Sequence, residues 1–292
     1  MPSCTPGGST TQHFGFCLPA DGETSWGTAY RSTMTAIDEE LFNVGIPRSY
    51  LAGLQTTPTV ASTSVSIAEG VCMGNDQSTS IRLTSALVKV LSSSWAVGTG
   101  NGGLYAATSI QGNQTYHLFT ILRTDTDVVD AYYDTDASAT NIPSPYTIYR
   151  RVASLKTSTS TNMINYTQDG DFFQLANPPL ETTATSPGTS GVTQTLVGIP
   201  TGINVRALMN INGTGGVANQ VYFSDLASSD IAPSNTIAPL ATNNMQSGIA
   251  QNPAAQIMVR TNTSAQVRYR CTASQQVLLS TLGWFDTRGR DA

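Results

Sequence analysis

The sequence predicts a mainly β fold preceded by one amphipathic helix, and three observations carry that prediction. The 292 residues include 41 Thr, 30 Ser and 17 Asn, and β-branched Thr favours the half-buried surface of a strand. From about residue 60 onward, short apolar-polar alternations are bounded by Gly, Asn, Asp or Pro, the pattern of strands joined by tight turns. Only between Ser25 and Asn43 does the period become helical.

Residues 1–24 are rich in Gly, Ser, Thr and Pro without periodicity, so they read as an extended arm that orders against a partner. The helix follows from Trp26, Tyr30, Met34, Ile37 and Leu41, which fall on one narrow stripe. Ser25 or Thr24 can cap its first amides, and Gly45 with Pro47 stops it. A stripe this narrow makes a seam, leaving two readings: self-association in a bundle of two or three copies, or a lone helix lying on its own β domain. Asp38, Glu39 and Glu40 lie toward the C-terminal end, where the helix dipole disfavours anions. Packing must therefore hold the helix. Residues 1–57 are read as an anchoring arm, helix and linker.

A first β-sandwich or jelly-roll-like domain is expected over 58–178. Its strand candidates are SVSIAE, SIRLTSALVKVL, TYHLFTILRT, VVDAYYD, YTIYRRVASL, NMINYTQ and DFFQL. The intervening WAVGTGNGGLYAAT reads as a tight loop, since it neither matches a phosphate-binding GxxxxGK[ST] pattern nor opens a helix. NPPLETTATSPGTSG reads as a linker. A second β-sandwich is expected over 179–292, with strands VTQTLVGI, INVRALMNIN, NQVYFSD, AQIMVRTN, AQVRYRC and QQVLLSTLGW.

Charged residues make up only 11% of the chain and the net charge is −5, so solubility rests on hydroxyls and amides, as on extracellular or particle-borne β proteins. Without a Lys/Arg cluster the electrostatic footprint of nucleic-acid binding is missing. No apolar run spans a bilayer, and the N-terminus has no secretory signal pattern. The expectation is synthesis in a cytoplasm, no membrane insertion, and release within a particle. Cys4, Cys17, Cys72 and Cys271 show no CxxC spacing, which disfavours a metal site. Free thiols are expected, with a Cys4–Cys17 disulfide left open.

Catalytic chemistry finds little support. His13 lies in the arm and His117 within a strand, neither with an acid partner or a GxSxG elbow. Asp125, Asp127, Asp130, Asp134 and Asp136 form the densest acidic cluster. It is open to turn, calcium and glycosidase readings, of which the turn needs no further geometry. Tyr132, Tyr133, Tyr146 and Tyr149 could stack on a sugar or simply fill strands. Arg150 and Arg151, Arg268 and Arg270, Arg288 and Arg290 are expected to pair with carboxylates of the same or a neighbouring subunit, the last two equally with solvent. No catalytic residue, cofactor or metal is expected.

PADGETSWGTAYRSTMTAIDEEL, PSPYTIYRRVA with SLKTSTSTNMINYTQDGDFF, and VGIPTGINVRAL through VRTNTSAQVRYRC to TLGWFDTRGR resemble segments of tailed-bacteriophage tail fibre and related virion fibre proteins. The resemblance implies a homotrimer in the virion tail. Residues 1–50 would dock on other virion proteins, and a distal β region would meet a host surface glycan or protein during adsorption. Several members of that family carry added tips or depolymerase domains, whereas this chain ends after the β region, leaving adaptor, short fibre and head-attached fibre or decoration open.

Overall fold

The computed structural model describes residues 9–11, 16–18, 26–45, 49–105, 109–184, 189–214, 221–234, 242–243, 254–272 and 276–290. The chain is mainly β, of sandwich type, with one helix among these residues. The arm supplies β1 (Ser9–Thr10) and β2 (Cys17–Leu18), and α1 spans Trp26–Gly45, about 30 Å long. Then come β3 (Leu51–Gly53), β4 (Thr56–Pro58), β5 (Ser64–Ile67), β6 (Gly70–Met73), β7 (Ser80–Leu83), β8 (Leu87–Ser94) and β9 (Asn101–Leu104). β10 (Thr115–Arg123), β11 (Val128–Asp134), β12 (Ile148–Lys156), β13 (Tyr166–Asp169) and β14 (Phe172–Leu175) follow. The rest are β15 (Leu180–Ala184), β16 (Val192–Thr195), β17 (Arg206–Thr214), β18 (Val221–Ser224), β19 (Thr242–Asn243), β20 (Ala254–Arg260), β21 (Gln266–Cys271) and β22 (Gln276–Phe285).

A seven-stranded sheet runs β12-β10-β11-β9-β8-β5-β4, beside a three-stranded β3-β6-β7 sheet. A six-stranded sheet runs β13-β14-β22-β17-β20 with β15 also on β22, and a four-stranded one runs β16-β21-β18-β19. Pairing is antiparallel except around β9, which runs parallel to both β8 and β11.

β10 explains itself from its sequence. TYHLFTIL lacks clean alternation because both faces are covered, with Tyr116, Leu118 and Leu122 in the main core and Phe119 and Ile121 in a smaller aromatic cluster. β21 shows the opposite case: Val267, Tyr269 and Cys271 are buried, while Gln266, Arg268 and Arg270 are only partly covered. SIRLTSALVKVL, expected as one strand, is broken between β7 and β8.

Both expected linkers contain strands. β3 and β4 lie within IPRSYLAGLQTTP, residues 46–58, and β15 lies within NPPLETTATSPGTSG. β15 is held by strand pairing and by Glu181, whose carboxylate accepts from Val197 N (2.6 Å) and Thr281 Oγ1 (2.6 Å). Such edge pairing leaves no apolar rhythm to read. β13 and β14, on one side of residue 178, share a sheet with β22 on the other. A single apolar core likewise runs from Leu54 through Tyr133 and Phe173 to Trp284.

Cys17 is disulfide-bonded, whereas Cys72 and Cys271 are free and buried. Cys4, Ser25 and Pro47, on which three expectations rest, lie outside the described residues. No helix among the described residues is long and apolar enough to cross a membrane.

Candidate functional site

The helix stripe is open. Tyr30, Ile37 and Leu41 are 43%, 41% and 48% exposed, and Met34 is half-buried. Trp26 opens α1, its side chain lying outside the described residues. The arm covers a different flank: Thr11 Oγ1 donates to the Asp38 carboxylate at 2.7 Å, and both residues are buried. Thr11 is itself held by Phe16, each donating its backbone N–H to an oxygen of the other at 2.9 Å. A residue one step from Ile37 points about 100° away around the helix, so the arm can bury Asp38 while Ile37 and Leu41 stay exposed. α1 has no acid in its first turn and no base in its last, so no charge within either end of the helix complements its dipole. Tyr30, Ile37 and Leu41 are not buried against the β region in this structure.

The aspartates separate into different structural tasks. Asp125 is exposed and paired with Arg123 at 2.7 Å. Asp127 sits in the hairpin turn with φ +54°, a conformation that Asp tolerates. Asp134 and Asp136 accept backbone N–H bonds from Asp136, Asn141 and Ser138, fixing the loop after β11. The Ser138 N–H, with the Thr140 hydroxyl, holds the Asp136 carboxyl below its ordinary range. Asp130 is fully buried and meets Lys89 Nζ at 2.8 Å. Lys89 also donates to the carbonyls of Ala96 (2.7 Å) and Gly98 (3.0 Å), so it ties down the Trp95 loop from beneath. Burial lowers the Lys89 pKa, opposed by the Asp130 hydrogen bond and charge. Lys89 escaped the sequence reading, although a lysine flanked by valines in a charge-poor chain was a usable signal.

The tyrosines that could stack on a sugar or fill strands are mostly closed off. Tyr132, Tyr133 and Tyr146 are buried; Tyr132 stacks on Phe119 at 5.4 Å, and Tyr146 meets the edge of Trp95 at 5.6 Å. Tyr149 alone of the four is partly open, packed edge-on to Phe119.

His117 is buried, with Nδ1 2.8 Å from Ser154 Oγ. Arg151 Nη1 donates to the same hydroxyl at 2.8 Å, leaving the Ser154 proton for the imidazole. Burial and the Arg151 charge push the His117 pKa down to about 4, against smaller pulls from Asp286, Asp134 and Asp136. Ser154 is fully buried, so no substrate reaches its hydroxyl. His13 lies outside the described residues.

All six singled-out arginines have partners within the chain that the sequence did not specify. Arg151 grips Asp286 with two bonds of 2.5 and 2.8 Å, and Arg290 pairs with Asp171. Arg268 and Arg270 share Asp230. Arg288, open to a solvated reading, is instead buried: Nε donates to Val152 O at 2.9 Å and Nη2 to Gly53 O at 3.0 Å and to Leu54 O. Arg150, the sixth, donates to the Arg288 carbonyl at 3.3 Å.

No His/Cys/Asp/Glu group among the described residues has a metal-holding arrangement. No protein-family model matches the chain. No curated protein matches it.

Proposed function

We propose that this chain is a non-enzymatic bacteriophage virion protein, a tail fibre or fibre adaptor that docks through its N-terminal arm and helix and takes part in host adsorption as a homotrimer. The observation that carries the reading is the open stripe of Tyr30, Ile37 and Leu41 beside a flank sealed by Thr11 and Asp38. An apolar stripe left in solvent is a standing cost that a partner surface relieves. Its narrowness suits helix against helix. The non-enzymatic part is supported by the use of His117 and Asp130, Asp134 and Asp136 in buried or loop-fixing bonds. Deleting residues 1–45 and measuring incorporation into particles tests the reading. Loss of incorporation with the β region still folded is expected, and unchanged incorporation overturns it.

A further inference from the structure

One face of the six-stranded sheet carries a cleft away from the residues of the helix stripe. Its register sets Arg206 of β17 directly opposite Arg260 of β20 on one side and Phe285 of β22 on the other. These three side chains line one cleft of about 820 Å³, within the roughly 300–1,000 Å³ of small-molecule sites.

Like charges directly opposite on paired strands repel. Arg260 is drawn aside to Asp225 at 2.9 Å. Arg206 is exposed, and its guanidinium makes no hydrogen bond or ion pair in this structure. The two carboxylates lining the cleft are already engaged, Asp286 by Arg151 and Asp171 by Arg290. The cleft thus offers one uncommitted guanidinium in a chain of net charge −5. Beside it, the exposed side chains of Asn204 and Thr263 also line the cleft without a bond of their own. Phe285, stacked on Phe172 at 4.6 Å, supplies an apolar wall.

A planar guanidinium takes a carboxylate through two parallel bonds. A free amide and hydroxyl suit sugar hydroxyls, and an aromatic wall suits the C–H face of a pyranose ring. We propose that this cleft binds the carboxylate-bearing unit of an acidic saccharide, with Arg206 holding the carboxylate. For its setting the inference rests on the adsorption half of the proposed function; the binding itself does not depend on how the chain is anchored.

Titration calorimetry on the purified full chain tests it. The probes are an oligogalacturonide, a sialylated oligosaccharide, the methyl ester of the oligogalacturonide, and inorganic phosphate. Saturable binding of an acidic saccharide is expected, weakened at least about tenfold by esterification and likewise by Arg206→Ala. Arg206→Lys should recover part of the loss, and both variants should unfold at the wild-type midpoint. No saturable binding of either acidic probe at millimolar concentration overturns the proposal. Equal affinity for the ester, equal affinity for phosphate, or affinity unchanged in Arg206→Ala overturns it too. Deletion of residues 1–45 should leave this binding intact, so failure of the anchor reading and failure of the cleft are separate results.

Discussion

Arg151 and Asp286 stand 135 residues apart in sequence and meet through two hydrogen bonds, tying β12 to the residue that follows β22. Asp286 also accepts the backbone N–H of Arg288 at 2.8 Å, which helps turn that arginine inward onto the carbonyls of Gly53, Leu54 and Val152. The chain's last described turn thereby latches onto β3, the residue after it and β12. Burial alone would raise the Asp286 carboxyl, but the Arg151 charge and hydrogen bond hold it below its ordinary value. Asp286→Ala leaves buried cationic groups uncompensated, so a loss of about 3–5 kcal/mol is expected. Urea unfolding should show a lower midpoint with unchanged slope.

Lys89 and Asp130 call for a different test, because a fully buried pair is weak evidence of net stabilisation. Both side chains are completely covered. Lys89→Met alone strands a carboxylate in the core and should cost about 3–5 kcal/mol. Lys89→Met with Asp130→Leu should cost less than Lys89→Met alone, since no charge is stranded, though the Ala96, Gly98 and Ala131 backbone groups lose partners. A double-mutant cycle by denaturant unfolding reads the difference.

His117 gives a pH signature. Its folded pKa of about 4 lies below its ordinary 6.5, so between those values the unfolded chain binds more protons than the folded one. Stability is therefore fully present above pH 6.5, falls as the pH drops toward 4, and loses nothing more from this group below that. The whole shift corresponds to at most about 3 kcal/mol. His117→Gln should be less stable at neutral pH yet nearly flat across the same window. Unfolding free energies measured at successive pH values check it; an equally steep His117→Gln profile would assign the slope to other groups.

The class of the fold was legible because period-two alternation and turn residues are local, as in Val267, Tyr269 and Cys271. The helix was legible for the same reason. What stayed hidden depends on distant partners: β15 exists because β22 offers an edge, and Arg288 is buried because carbonyls near residue 53 await it. Neither leaves a mark in its own sequence window. Of the candidate site, the stripe could be read from spacing, but the use of Asp38 as the arm's attachment point could not, since its partner Thr11 is 27 residues away.

The stripe itself yields the most direct prediction about assembly. If helices close on one another along Tyr30, Ile37 and Leu41, each apolar side chain moved out of water contributes roughly 1.5–3 kcal/mol when fully buried. Since all three are still about half covered in the single chain, the gain per residue is nearer half of that. Three such residues per chain are then enough to shift association by orders of magnitude. Ile37→Asn with Leu41→Asn should weaken self-association by at least about a hundredfold, while circular dichroism of the β region stays unchanged. Sedimentation across a concentration series checks this. If wild type and variant sediment alike as monomers but the variant fails to enter particles, the seam belongs to another virion protein rather than to sister helices. Asp38→Ala separates arm from seam: it should free Thr11 and loosen the arm, measurable as faster amide exchange at Thr11 and Phe16, without exposing more of the stripe.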